Sequence, residues 1–108
     1  MTVGATWDVE LVYAWGAAMG AEFWGKGANV QLGPGVNVAR VPRNGRNFEY
    51  ISGEDPFLGY ILVQPAVQGI QAQGVIANAK HYVLNNVRPV DSMFVLAILF
   101  NLAQFAFS

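Results

Sequence analysis

The residue types that could do chemistry are concentrated in two places. Six of the thirteen charged residues lie between positions 40 and 55, and Lys80 and His81 follow a short apolar run. Lys80 offers three hydrogen-bond donors, and a neutral His81 offers one donor and one acceptor, so this pair could hold a ligand. From residue type and position alone, a solvated pair at a strand end is the more common alternative. Glu49 and Asp55 are carboxylates of the kind used in acid–base chemistry. We assign neither to catalysis, because Asp55 is explained as a helix cap and Glu49 as a brace within its loop.

Composition excludes several classes of function. Six Lys and Arg residues against seven Asp and Glu residues give a net charge of -1, which provides no basic surface for nucleic acid. The chain has no Cys and a single His. We therefore predict no disulfide, no metal site and no cofactor. With 54% hydrophobic and 12% charged residues, the sequence predicts an ordinary packed core. The first residues do not have the pattern of a secretory signal.

Hydrophobic spacing predicts a helix in each half of the sequence. Thr6 is the predicted cap of a helix over residues 7–24. Asp55 predicts the start of a second helix, since the proline that follows it has no amide hydrogen to leave unpaired. This helix would run to about residue 73. Pro65 lies inside it and should kink it or divide it in two.

Two short apolar runs are predicted to be buried strands. They cover residues 28–32 and 75–79. The order helix, strand, long loop, helix, strand favours an α/β fold with parallel strands. The connection over residues 33–55 is long and polar, which is unusual in a compact domain unless the loop has a function. Lys80 and His81 would emerge at the C-terminal end of the second strand.

Two motifs resemble signatures of glycoside hydrolase family 3. One reads GPGVNVARVPRNGRNFEYISGEDP over residues 33–56, and the other reads KHYVLNN over residues 80–86. The helix and strand over residues 5–32 are similar to those that lead into these motifs in the family. The resemblance covers residues 5–86, about four-fifths of the chain. Its two motifs stand in the order and at the distance that the family has, which makes the resemblance specific.

The resemblance implies a fold, an activity and a set of ligand-binding residues. Family members have a (β/α)8 TIM barrel followed by a second α/β domain, so residues 1–86 are expected to be a fragment of the N-terminal barrel. They are β-glucosidase-like retaining hydrolases that release terminal β-D-glucose from O-glycosyl compounds. Arg46, Lys80 and His81 would then bind hydroxyls of a β-glucoside or oligosaccharide substrate. Relatives are commonly secreted, so an extracellular location is expected.

The resemblance also implies that the chain lacks the groups that break the bond. Retaining hydrolysis needs two carboxyl groups about 5 Å apart, and in the family both come from later parts of the protein. We therefore expect no catalytic residue here and no activity of the chain alone. After Asn86 the sequence leaves the family pattern, and residues 87–108 form a divergent, apolar, helix-like tail.

Two alternatives remain open at the level of sequence. Arg46 could be a structural residue that pairs with Glu49, Glu54 or Asp55 in its own loop. The chain could also be a non-catalytic barrel module that acts in assembly or attaches to a membrane through its tail. The last 17 residues are short of the about 20 needed to span a bilayer, so membrane contact is not expected. Open barrel edges would favour self-association.

Overall fold

The computed structural model describes residues 2–82 and Asn85, and the tail predicted over residues 87–108 lies outside this part of the chain. The described part is an α/β unit in which two helices alternate with two short strands. In chain order the elements are α1 (Val9–Gly25), β1 (Val30–Gln31), α2 (Pro56–Gln71) and β2 (Ile76–Ala77). Single 3-10 turns lie at Gly4–Thr6 and Asn47–Glu49. Within these residues neither helix is long and apolar enough to cross a bilayer.

The first helix begins two residues later than predicted, and its cap is Asp8. The Asp8 backbone is extended, and its Oδ1 accepts a hydrogen bond from the Leu11 N–H at 3.0 Å. Thr6 is the wrong cap because it ends the preceding 3-10 turn. Its hydroxyl donates to the Val3 carbonyl at 2.6 Å and accepts from the Asp8 N–H. Thr6 therefore holds the turn that presents Asp8 to the helix.

The second helix begins where the sequence predicts it. Asp55 is its cap, with Oδ1 accepting from the Phe57 N–H at 2.9 Å, and a proline occupies the first turn. Of the two outcomes predicted for Pro65, a kink or a division of the helix, division is wrong, because α2 is one continuous element. Pro65 removes one backbone hydrogen bond. Burial of Leu62 and Ala66 on either side of it packs the helix against the core and outweighs that loss.

Glycines allow the two helices to pack backbone against backbone. A Cβ atom on Gly16 would lie 2.5 Å from the Ala66 carbonyl oxygen. On the second helix, a Cβ atom on Gly69 would overlap the carbonyl oxygen of Tyr13 in the first helix. Real carbon and oxygen atoms do not approach this closely, so the helix separation depends on the absence of side chains at these positions.

The two strands pair in parallel, as predicted, and the two faces of their sheet differ in burial. Val30 pairs with Ile76, and Gln31 pairs with Ala77. Ala77 belongs to a buried cluster with Ile70, and Gln31 is buried beside α1, whereas Val30 and Ile76 are about half exposed. One face of the sheet therefore packs on the helices, and the other face carries apolar side chains with no covering element in the described residues.

Substituting the interface glycines tests this packing. We expect Gly16→Ala to lower the free energy of unfolding by about 1–3 kcal/mol, because the added methyl group forces the helices apart. The control is Gly25→Ala, at the end of α1, where a Cβ meets nothing within 4 Å. It should be neutral or stabilise the chain by up to about 1 kcal/mol through helix propensity. Urea denaturation followed by tryptophan fluorescence, at one protein concentration, measures both. A Gly16→Ala variant as stable as the Gly25→Ala variant would contradict the close packing of the two helices at Gly16.

Candidate functional site

Three backbone segments lie side by side at the C-terminal end of the sheet. Gly35 forms parallel bridges with Tyr50 on one side and with Lys80 on the other. The Ile51 N–H donates to the Gly35 carbonyl at 3.0 Å, and the Val36 N–H donates to the Lys80 carbonyl at 2.7 Å. This arrangement extends the two-stranded sheet by a third short segment. It brings the loop that contains residues 46–50 next to the residues that follow β2.

The middle segment has room for no side chain at Gly35. A Cβ atom there would lie 2.7 Å from Cδ1 of Tyr50 and 2.9 Å from the Glu49 carbonyl oxygen. Tyr50 is completely buried. Its ring therefore lies directly against the Gly35 backbone. The glycine thus sets how closely the loop with Glu49 and Tyr50 approaches the residues that follow β2.

The register places the pair Glu49 and Tyr50 opposite the pair Lys80 and His81. Lys80 Nζ donates to Glu49 Oε2 at 3.0 Å, and the Tyr50 hydroxyl lies 3.3 Å from Nδ1 of His81. Each member of one pair thus contacts one member of the other. The Lys80–His81 peptide bond is cis, as is the bond between Gly33 and Pro34.

Glu49 joins the two cations of the site. Arg46 Nε donates to Oε1 at 2.6 Å and Arg46 Nη2 donates to Oε2 at 2.9 Å, which makes a two-point contact. Lys80 shares Oε2. The three side chains are partly buried, with exposed fractions of 35% for Arg46, 23% for Glu49 and 24% for Lys80. Planar guanidinium–carboxylate pairs of this kind are geometrically specific, so the contact orients the arginine as well as pairing its charge.

These contacts keep the Glu49 carboxyl ionised. The hydrogen bond from Arg46 is the main reason that the pKa of Glu49 is lowered to about 2, from an ordinary value of 4.5. Partial burial opposes this shift, and the hydrogen bond from Lys80 lowers the pKa further. The same contact with Glu49 raises the pKa of Arg46. Two cations around one carboxylate leave a net positive charge on this cluster.

His81 is held by side chains from three parts of the chain. Its backbone N–H donates to Oδ1 of Asn37. Its Nδ1 lies 2.9 Å from Nδ2 of Asn85, and that same amide nitrogen donates to the Tyr50 hydroxyl at 2.8 Å. The Tyr50 and His81 rings meet edge to face, at 88° and 6.0 Å between centroids. His81 is therefore held both at its backbone N–H and at one ring nitrogen.

The structure brings all three predicted ligand-binding residues into one neighbourhood. Arg46 and Lys80 meet at Glu49, and His81 is the next residue after Lys80. Arg46 also makes the contact with Glu49 that the structural alternative describes. The two interpretations are compatible, because an arginine has five N–H groups and Glu49 accepts from two of them.

Sequence reasoning did not assign three of the residues that build this site. Tyr50 and Asn85 lie inside the two motif stretches, but nothing in their spacing indicates that they share a hydrogen bond. Asn37 is equally inconspicuous in a loop rich in asparagine. Glu49 was interpreted as a loop brace, and the structure extends that brace to Lys80, which lies 31 residues further along the chain.

Comparison with known proteins gives a consistent match over most of the chain. The model of the glycosyl hydrolase family 3 N-terminal domain matches residues 1–92. The β-glucosidase BoGH3A of Bacteroides ovatus is 50% identical over 84 residues, which are 78% of this chain and 11% of that protein. The probable β-glucosidase F of Aspergillus fumigatus is 54% identical over 86 residues, which are 79% of this chain and 10% of that protein.

Solved structures agree with the sequence matches. β-Glucosidase 3B from Thermotoga neapolitana, in complex with α-D-glucose, superposes with a TM-score of 0.73 at 46% identity, over 78% of this chain and 12% of that one. The β-glucosidase DesR from Streptomyces venezuelae, in complex with D-glucose, gives 0.74 at 34% identity, over 78% of this chain and 11% of that one. The chain spans about a tenth of the length of the curated relatives it matches. It belongs to glycoside hydrolase family 3, and it is similar to part of the family's N-terminal, TIM-barrel-like α/β domain.

Proposed function

We propose that this chain supplies part of the sugar-binding surface of a retaining β-glucosidase, in which Arg46, Lys80 and His81 donate hydrogen bonds to hydroxyls of the terminal glucose unit. One observation carries the proposal: Glu49 holds Arg46 and Lys80 together, and Lys80 is the neighbour of His81 in the sequence. The named relatives are β-glucosidases, and two similar solved structures contain glucose.

The geometry suits a ligand with adjacent hydroxyl groups. Arg46 and Lys80 are long side chains that would lose rotamer freedom when they bind a sugar. Their contacts with Glu49 restrict that freedom before the ligand arrives, which lowers the entropic cost of binding. A guanidinium and an ammonium donate but never accept, so each selects an oxygen atom as its partner. Hydrogen bonds to sugar hydroxyls can strengthen as positive charge develops at the anomeric carbon.

Glu49 is unsuited to the bond-breaking step. Its carboxylate oxygens accept hydrogen bonds from Arg46 and Lys80, and a pKa of about 2 makes it a poor proton donor near neutral pH. Retaining hydrolysis requires one carboxyl group as acid/base and a second as nucleophile, about 5 Å away. The chain therefore contributes substrate binding, and the cleaving carboxylates come from other parts of the enzyme.

A second role, in assembly, is favoured by the open face of the sheet. Val30 and Ile76 are 41% and 51% exposed, and Leu32, which follows β1, is 66% exposed. Apolar side chains grouped beside unpaired strand edges favour association with further strands or with a second copy of the chain. We infer that the chain associates with itself when the rest of the barrel is not present to cover this face.

A graft tests the sugar-binding role. Residues 1–86 would replace the matching segment of the Bacteroides ovatus β-glucosidase, and hydrolysis of a chromogenic β-glucoside would be followed. We expect an active chimera, in which Lys80→Ala lowers kcat/KM by about 100-fold, because the loss of a hydrogen bond that involves a charged group costs about 1.5–3 kcal/mol. His81→Ala should lower kcat/KM by about 10-fold, because a hydrogen bond between neutral groups contributes about 0.5–1.5 kcal/mol.

The matched control for the graft is Lys26→Ala. The Lys26 side chain is 78% exposed and contacts Glu22 on the same helix, so its removal should leave kcat/KM unchanged. The isolated 108-residue chain should give no turnover above buffer. Turnover by the chain alone, or a Lys80→Ala chimera as active as the Lys26→Ala chimera, would contradict the proposal.

The ionised Glu49 should make stability depend on pH. Folding lowers the pKa of Glu49, so its contribution to the free energy of unfolding is fully present above about pH 4.5 and is lost as the pH falls toward 2. We expect Glu49→Gln to be less stable than the natural chain above pH 4.5, with a smaller loss on acidification. Urea midpoints measured at a series of pH values test this, with Glu22→Gln, from an exposed ion pair, as the control. Identical pH dependence in all three proteins would exclude the role given to Glu49.

Self-association should depend on the open face of the sheet. Sedimentation velocity of the natural chain should show oligomers, and the double variant Val30→Lys with Ile76→Lys should shift the distribution toward monomer by charge repulsion and lost apolar contact. The double variant Gln64→Lys with Gln68→Lys, on the exposed side of α2, adds the same charge elsewhere and should leave the distribution unchanged. A natural chain that sediments as a monomer and melts cooperatively would refute this second role.

A further inference from the structure

One ring nitrogen of His81 lies against two polar side chains. Its Nδ1 is 2.9 Å from Nδ2 of Asn85 and 3.3 Å from the Tyr50 hydroxyl. Nδ2 of Asn85 is also 2.8 Å from that hydroxyl, so the three groups form a closed triangle. Tyr50 is fully buried, which means that its hydroxyl must satisfy its hydrogen bonds inside the protein.

The donors and acceptors in this triangle determine where the imidazole proton lies. An amide nitrogen carries two hydrogens and accepts nothing. Nδ2 of Asn85 therefore donates one hydrogen to the Tyr50 oxygen and one to Nδ1 of His81. A ring nitrogen that accepts a hydrogen bond carries no proton, so the proton of a neutral His81 lies on Nε2. The Tyr50 hydroxyl, 3.3 Å from Nδ1, is able to donate to the same unprotonated nitrogen.

We propose that Asn85 and Tyr50 are positioning residues that hold neutral His81 in its Nε2–H tautomer, so that His81 offers its ligand a donor and not an acceptor. The identity of that ligand, a sugar hydroxyl, rests on the proposed function. The assignment of the proton does not depend on it, because it follows from contacts within the protein.

This tautomer matches the chemistry of the neighbouring groups. Lys80 and Arg46 can only donate, and a His81 that donates from Nε2 gives the site a third donor of the same polarity. A ligand that binds all three must present oxygen atoms as acceptors. The hydrogen bond from the His81 backbone N–H to Asn37 also holds the residue at its main chain, so His81 is fixed at its backbone as well as at Nδ1.

The single histidine of the chain makes the tautomer directly measurable. In the full chain labelled with 15N-histidine, every imidazole signal comes from His81, whether the spectra are recorded in solution or, for oligomers, by magic-angle spinning. At a pH where the ring is neutral, we expect the Nδ1 shift typical of an unprotonated nitrogen and the Nε2 shift typical of a protonated one. No sugar is added, so failure of the carbohydrate proposal in the grafted enzyme leaves this measurement unaffected.

Variants make the test decisive, since free imidazole already favours the Nε2–H form. Asn85→Asp replaces the donor with a carboxylate that only accepts, so the proton should move to Nδ1 and the two 15N shifts should exchange roles. Gln71→Glu adds the same charge at the end of α2 and should change neither shift. Tyr50→Phe removes one donor to Nδ1 and should move both shifts part of the way toward those of a free imidazole.

Two results would overturn the inference. The first is a protonated Nδ1 in the natural chain, which would mean that the Asn85 amide is turned with its oxygen toward the ring. The second is a set of His81 shifts that stays unchanged in both Asn85→Asp and Tyr50→Phe, which would mean that neither group acts on the ring. Because Tyr50→Phe keeps the buried ring, it decides the question even where Asn85→Asp does not fold.

Discussion

The site depends on the close approach of three backbone segments at Gly35. That residue pairs with Tyr50 on one side and Lys80 on the other, and a single methyl group there would collide with the Tyr50 ring. The distance between the loop and the end of β2 is therefore set by a missing side chain. The hydrogen bond from Lys80 to Glu49 and the contact between Tyr50 and His81 both span this junction. A wider junction would separate the two halves of the site before it affected the helices.

Charge and hydrogen bonding then divide the site into two units that share the same junction. In the first, Glu49 neutralises part of the charge of Arg46 and Lys80 and fixes both side chains. In the second, Tyr50 and Asn85 surround one nitrogen of His81 with neutral groups. Because the carboxylate holds the cations and the neutral groups hold the imidazole, each kind of donor has a partner suited to its own chemistry.

Local sequence signals predicted the elements better than the site. Asp55 was identified correctly as a cap because its partner lies two residues away. Thr6 and Asp8 are both good capping types, and only the backbone conformation, which the preceding turn imposes, distinguishes them. Pro65 does not divide α2, because its cost is local, whereas the burial that offsets it involves residues distant in sequence such as Val12. The roles of Arg46, Lys80 and His81 came from family resemblance, and no periodicity pointed to Asn85.

Local construction of the site has a consequence for a chain that spans about a tenth of its relatives. Among the described residues, Asn37, Glu49, Tyr50 and Asn85 supply contacts that orient Arg46, Lys80 and His81, so part of the donor geometry is built within this segment. Exclusion of water from a bound sugar is different, because it needs walls on every side of the ligand. Within the described residues, the partly buried Glu49 cluster supplies one such wall. Under the proposed function, orientation of the donors is therefore built within this segment, whereas affinity and bond cleavage would require the rest of the barrel.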